Sequence, residues 1–124
     1  MSDDISKLPP NVQERLLRLQ QLQQTLQSIL AQKQQVEMEK TEVEQTLAEL
    51  EKTAADAVIY KAIGSLLVKA EKTKVAEELA ERKSLLDTRS TVMARQEERR
   101  RSQVKEAQTK LQEDLSPVSG QSLS

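Results

Sequence analysis

The sequence has 124 residues, of which 36% are hydrophobic and 31% are charged, and Tyr60 is its single aromatic residue. So few large apolar side chains argue against a compact globular core. A chain of this length is expected to form one domain. The 19 basic and 20 acidic residues nearly cancel. Dense charge of balanced sign, with many Gln, Leu and Ala residues, is typical of long helices that are exposed to water.

The residue types that most enzymes and metal sites use are missing. The chain has no histidine and no cysteine, which removes most metal sites and the usual pairs of nucleophile and base. Two glycines cannot form a phosphate-cradling loop. We therefore predict no enzyme activity and no catalytic, cofactor-binding or metal-binding residues. With neither a signal peptide nor a membrane-spanning run, we expect a cytoplasmic protein with no membrane partner.

The first predicted helix covers residues 12–53 and follows a polar N-terminal segment, residues 1–10, that ends in two prolines. Asn11 with Glu14 three residues later resembles a capping box, with Asn11 as the N-cap. Apolar residues then recur in alternating steps of three and four, which predicts a coiled coil. These residues, here named the seam of this helix, are Leu19, Leu22, Leu26, Ile29, Val36, Val43, Leu47 and Leu50.

Residues 57–70 differ from the rest of the chain because β-favouring residues crowd around the pair Gly64-Ser65. A two-residue loop with glycine first favours a type II′ hairpin turn, which would place Ile63 opposite Leu66. Both faces of this hairpin are largely apolar, and no other segment resembles a strand, so other chains must supply its neighbours. We predict an oligomerisation hairpin formed by Val58, Ile59, Tyr60, Ile63, Gly64, Leu66, Leu67 and Val68.

The second predicted helix covers residues 73–115 and ends before Ser116-Pro117, while residues 117–124 have the composition of a flexible tail. Two helices of similar length, joined by a short hairpin, can fold back antiparallel. The predicted fold is therefore mainly α: one domain, residues 11–116, in which a long antiparallel two-helix coiled coil carries one central β-hairpin. That hairpin is expected to pair with strands of other subunits.

Near the helix ends far from the hairpin, the chain carries more apolar side chains than a two-helix seam needs. Leu16, Leu17 and Leu30 fall outside the seam and widen its apolar stripe. Such a surplus indicates either an exposed interaction site or a wide seam that packs on the second helix or on a neighbouring coiled coil, and the residues alone leave both open.

A basic cluster, Arg95-Gln96-Glu97-Glu98-Arg99-Arg100-Arg101, raises the possibility of nucleic-acid binding. Two glutamates interrupt the cluster, and Glu97 with Arg101 has the spacing of an intrahelical ion pair. An exposed helix face is the favoured interpretation, so we expect no nucleic-acid partner.

The hairpin sequence Tyr60-Lys61-Ala62-Ile63-Gly64-Ser65-Leu66-Leu67-Val68 resembles the corresponding hairpin of the prefoldins, in particular their β-type subunits of archaeal kind. The resemblance extends to Leu8-Pro9-Pro10-Asn11-Val12-Gln13 and to the helix that ends in Leu47-Ala48-Glu49-Leu50. It therefore covers nearly the whole chain, and the hairpin is its most specific part.

This resemblance implies a hexamer of two α-type and four β-type subunits whose hairpins combine in a double β-barrel platform. It also implies a molecular chaperone that captures non-native polypeptides without ATP at the ends of its coiled coils and delivers them to a group II chaperonin. The client contacts that it implies, here named the tip set, are Val12, Leu16, Leu17, Leu19, Leu111 and Leu115.

Two other functions compete with this interpretation. A structural coiled-coil adaptor without client binding would explain the heptads but not a hairpin with two apolar faces. A basic-helix binder of nucleic acid would require tight, salt-dependent binding, and the net charge of −1 argues against it.

Overall fold

The computed structural model describes the backbone of residues 7–123 and the side chains of residues 7–115. Its elements are helix α1 (Pro10–Glu51), strand β1 (Ile59–Ile63), strand β2 (Leu66–Ala70) and helix α2 (Lys72–Leu123). This order confirms the predicted fold of two long helices with one β-hairpin between them. The chain divides into two compact units, described separately below. The hairpin unit is Gln32–Met93, and the helix-end unit comprises the described residues up to Ala31 and from Ala94 onward.

Helix α1 begins at Pro10, one residue before the predicted cap. The Pro9 carbonyl accepts hydrogen bonds from the amides of Val12 and Gln13, each at 3.0 Å. Proline is favoured at the first helical position because its φ is already helical and its missing N–H would have no partner there. Asn11 therefore lies inside the first turn, and the prediction that it caps the helix is wrong. The side chain of Gln13 instead donates a hydrogen bond of 2.7 Å to the Leu8 carbonyl.

Helix α2 continues to Leu123, so residues 117–123 are helical where the sequence predicted an end near Leu115 and a flexible tail. Pro117 removes a single backbone hydrogen bond, and Gly120 disfavours helix without forbidding it. A helix that is already long needs no new nucleus to add further turns. Of the predicted N-terminal segment, residues 1–10, the first six lie outside the described residues.

In the hairpin unit, the core combines seam residues of α1 with leucines of α2. Val36, Val43 and Leu86 are buried against one another, and the partly buried Leu47 and Leu79 pack on them. Removing these side chains from water supplies the main attraction between the two helices.

Polar contacts across the seam fix the antiparallel direction of the helices in this unit. Ser90 donates a hydrogen bond of 2.6 Å to Glu37, and Lys40 forms an ion pair of 2.8 Å with Asp87. As residue numbers rise along α1, from Glu37 to Lys40, the numbers of their partners on α2 fall, from Ser90 to Asp87. The hydrogen bond and charge of Asp87 raise the pKa of Lys40 above its ordinary value.

In the helix-end unit, four seam or near-seam residues of α1 are buried: Val12, Leu19, Leu22 and Ile29. An ion pair between Arg15 and Asp114 joins α1 to α2 in this unit. The contacting atoms, Arg15 Nε and Asp114 Oδ2, are both shielded from solvent. A cleft of about 520 Å³, lined partly by Leu22 and Ala107, shows that the helices leave space beside the seam here.

The hairpin has the register that the sequence predicts. Ile63 pairs with Leu66, Lys61 with Val68 and Tyr60 with Lys69 in an antiparallel sheet. Gly64 has a φ of 57°, and none of the described residues other than glycine has a positive φ. A type I′ turn needs positive φ at both central residues, so Ser65 excludes it and the predicted type II′ remains.

Candidate assembly and binding surfaces

The hairpin leaves most of its apolar side chains uncovered. The exposed fractions of Tyr60 and Leu67, which share one face, are 61% and 72%. Ile63, Leu66 and Val68 are exposed on the opposite face, and Val58 is exposed just before β1. Gly64 also lies at the surface, whereas Ile59 is half-buried. The structure thus brings the predicted oligomerisation residues together in one element that is apolar on both faces.

The sheet of the described chain has only these two strands, so each strand has one edge without a backbone partner. A two-stranded hairpin is marginally stable in water, and apolar faces of this kind are rarely left open in a folded protein. Unpaired N–H and C=O groups along an edge can extend the sheet into another chain. The hairpin therefore has the geometry of an assembly element.

Polar side chains attach the hairpin region to the helices. Lys61 of β1 forms an ion pair of 2.5 Å with Glu78 of α2, and Lys72 donates a hydrogen bond of 2.6 Å to the Thr53 carbonyl. Within the hairpin, this attachment uses the charged side chain of Lys61, while most of the apolar side chains stay uncovered.

The tip set divides into three groups. Val12 and Leu19 are buried, with 3% and 8% of their surface exposed, and Leu16 and Leu111 are half-buried. Leu17 and Leu115 are the exposed members, at 60% and 40%. Because buried side chains cannot reach a client while the helices stay packed, Leu17 and Leu115 are the members best placed for an external contact.

Sequence reasoning missed three exposed apolar residues of the hairpin unit, Met38, Leu85 and Val92. Their positions outside the heptad seam are the signal that could have identified them. It also missed the ion pairs of Arg15 and Lys40, because each joins residues far apart in the chain.

The basic cluster is an exposed helix face with local partners. Arg101 forms the predicted pair with Glu97 at 2.8 Å, and Arg100 donates a hydrogen bond of 2.8 Å to Gln103. Among the described residues, no group of three or more acidic side chains could hold a metal ion. No described helix has the length and apolar character needed to cross a membrane.

Comparison with known proteins decides the family. The family model for prefoldin subunits matches residues 13–117. The chain belongs to the prefoldin family. The prefoldin subunit beta of Saccharolobus islandicus is 44% identical over 118 residues, which cover 93% of this chain and 94% of that relative. The prefoldin subunit beta of Archaeoglobus fulgidus is 44% identical over 116 residues, covering 94% and 100%.

Solved structures of prefoldin subunits agree with this assignment. The crystal structure of the prefoldin beta subunit from Thermococcus strain KS-1 superposes with a TM-score of 0.80 at 39% identity, covering 88% of this chain and 96% of that one. The prefoldin beta2 subunit from the same strain superposes with a TM-score of 0.66 at 21% identity, which supports the fold alone. The resemblance to archaeal β-type prefoldin subunits is therefore confirmed. At the level of the family, β subunits form hetero-oligomers with other prefoldin subunits.

Proposed function

We propose that the chain is one subunit of an ATP-independent holding chaperone that captures unfolded proteins and delivers them to a group II chaperonin. The observation that carries this proposal is the uncovered hairpin, apolar on both faces, in a chain of the prefoldin family. Family membership supports the chaperone role. We place its action in the cytoplasm.

Assembly is the first step of the proposed function. The open strand edges and the exposed faces around Tyr60 and Leu67 would be covered by hairpins of other subunits, in a hexamer of two α-type and four β-type chains. Burying these side chains would offset the entropy lost on association. Several pairs of helix ends would then be held in one particle.

Client capture is the second step. Leu17 and Leu115 are the exposed apolar members of the tip set, and each would contact a non-native segment weakly. Contacts from several subunits at once would hold the client through multivalency and still release it without an energy source. Val12 and Leu19, which are buried, would keep the two helices packed rather than bind the client.

The test is suppression of client aggregation, without ATP, by the chain assembled with an α-type prefoldin subunit. We compare the native complex with Leu17→Ser/Leu115→Ser and with a control, Leu85→Ser/Val92→Ser, whose side chains are 67% and 41% exposed in the hairpin unit. The first variant should lose most of its protection, because it loses apolar contact area at the helix ends. The control should protect like the native complex, with unchanged mass by light scattering for both.

Equal protection by the native complex and the Leu17/Leu115 variant would contradict the proposed capture site. Absence of protection by the native complex, with normal assembly, would favour a structural adaptor.

A further inference from the structure

Four glutamines of α1 lie side by side in the helix-end unit. Their side chains line a shallow concavity of about 550 Å³ on the outside of the helix, and all four are exposed. Within residues 7–115, no side-chain hydrogen bond or ion pair engages any of them. This surface is here named the glutamine stripe and consists of Gln20, Gln23, Gln24 and Gln27.

Some other glutamines of the described chain have side-chain partners, unlike those of the stripe. Gln13 donates to the Leu8 carbonyl, Gln35 donates to Glu39, and Gln103 accepts from Arg100. The stripe also lies in the segment between Arg18 and Lys33, which contains no charged residue although 31% of the chain is charged. A partner of this surface must therefore be recognised by neutral hydrogen-bonding groups rather than by charge.

A polypeptide backbone fits this chemistry. A glutamine side chain offers one carbonyl acceptor and two N–H donors, the same kinds of group that a peptide unit carries. An unfolded chain exposes these backbone groups whatever its sequence, whereas a folded protein has paired most of them. Glutamine amides would thus discriminate unfolded from folded chains.

The spacing of the stripe also suits an extended chain. Gln20 and Gln24 are about 6 Å apart along the helix axis, close to the roughly 6.6 Å between every second residue of an extended strand. Gln27 continues the same face, and the exposed Leu17 lies one turn before Gln20 on that face. One apolar contact thus adjoins a row of amides.

We propose that the glutamine stripe binds the backbone of an extended, non-native polypeptide segment next to the apolar contact at Leu17. This inference rests on the proposed holding function and states what that function recognises. It gives the chaperone a means of holding clients with few large apolar side chains. Each amide contact is weak because water competes for it, so release stays rapid.

The test uses the full chain assembled with an α-type subunit. The stripe variant is Gln20→Ala/Gln23→Ala/Gln24→Ala/Gln27→Ala, and the helix should persist because alanine is the better helix former. The control replaces four exposed glutamines that have no side-chain partner in the described chain, Gln45, Gln96, Gln108 and Gln112, by alanine. The probe is a fluorescent, unstructured 20-residue peptide with two leucines, beside the same peptide N-methylated at alternate residues.

We expect the stripe variant to bind the plain peptide about tenfold more weakly than the native complex, the equivalent of one or two net hydrogen bonds. The control should bind like the native complex. N-methylation removes backbone N–H donors of the peptide and should weaken its binding to the native complex by a similar factor. It should change binding to the stripe variant little, because that variant has no glutamine carbonyls at the stripe to accept from those donors.

Equal affinity of the native and stripe complexes for the plain peptide would overturn the stripe as a binding surface while leaving the holding function intact. A changed mass of the stripe complex would overturn it in favour of a contact between subunits. Failure of the native complex to bind either peptide would contradict the holding function itself.

Discussion

At the scale of single residues, Gly64 sets the geometry of the hairpin. Its φ of 57° lies in a region that L side chains rarely adopt, and beyond the two adjacent residues no atom lies within 4 Å of the position that a Cβ would take. Backbone conformation, rather than crowding, therefore requires a glycine here.

We predict that Gly64→Val destabilises the hairpin by about 1–3 kcal/mol, because a β-branched residue resists positive φ. The matched control is Ser65→Val, which introduces the same side chain at a neighbour without positive φ. The fraction of assembled complex, measured by light scattering at fixed concentration, should fall for the first variant only. Equal assembly by both variants would contradict the role assigned to this glycine.

The hairpin register was predictable because one local feature determines it. Once Gly64-Ser65 forms a two-residue turn, every cross-strand pair follows, including Ile63 with Leu66. Helix ends were less predictable because single competing hydrogen bonds decide them. The Pro9 carbonyl, rather than the Asn11 side chain, accepts hydrogen bonds from the first amides of α1. At the other end of the chain, α2 continues past Pro117.

At the scale of elements, the packed seam holds the helices together and its burial follows the heptad pattern. Leu85 and Leu86 are neighbours on α2, yet 67% of Leu85 and 3% of Leu86 is exposed. Packing between the helices accounts for this contrast, because Leu86 is buried against Val36 and Val43.

We predict that Leu86→Ala lowers the free energy of unfolding by about 2–5 kcal/mol, through lost burial and the cavity that remains. Leu85→Ala is the control and should change it by about 0.5 kcal/mol or less, because that side chain is already in water. Urea unfolding followed by circular dichroism, at one protein concentration, measures both. A loss for Leu85→Ala as large as that for Leu86→Ala would show that the seam is assigned wrongly.

The tip set shows what the apolar periodicity of the sequence cannot predict. The sequence indicated an apolar stripe that was wider than the seam, but not which leucines the second helix covers. Leu16 and Leu17 are adjacent, yet Leu16 is half-buried and Leu17 is exposed. Contacts such as the pair of Arg15 with Asp114 depend on how the two helices align, which no local pattern specifies.

At the scale of the whole molecule, apolar side chains serve two separate purposes. Seam residues such as Val36 and Leu22 are buried within the chain, whereas hairpin residues such as Leu66 and Leu67 stay uncovered. The near-balance of charge, with a net value of −1, leaves little electrostatic repulsion between copies of the chain. We propose that a chain of this kind is complete only in an assembly.

Mass by multi-angle light scattering, for the chain alone and mixed with an α-type prefoldin subunit, tests that claim most directly. One chain has a mass of 14.0 kDa. We predict a mixed particle several times heavier that contains both subunits, since the hairpin needs other strands to cover its faces. A stable 14.0 kDa species in the mixture, with a folded hairpin, would contradict the proposal that the chain requires an assembly.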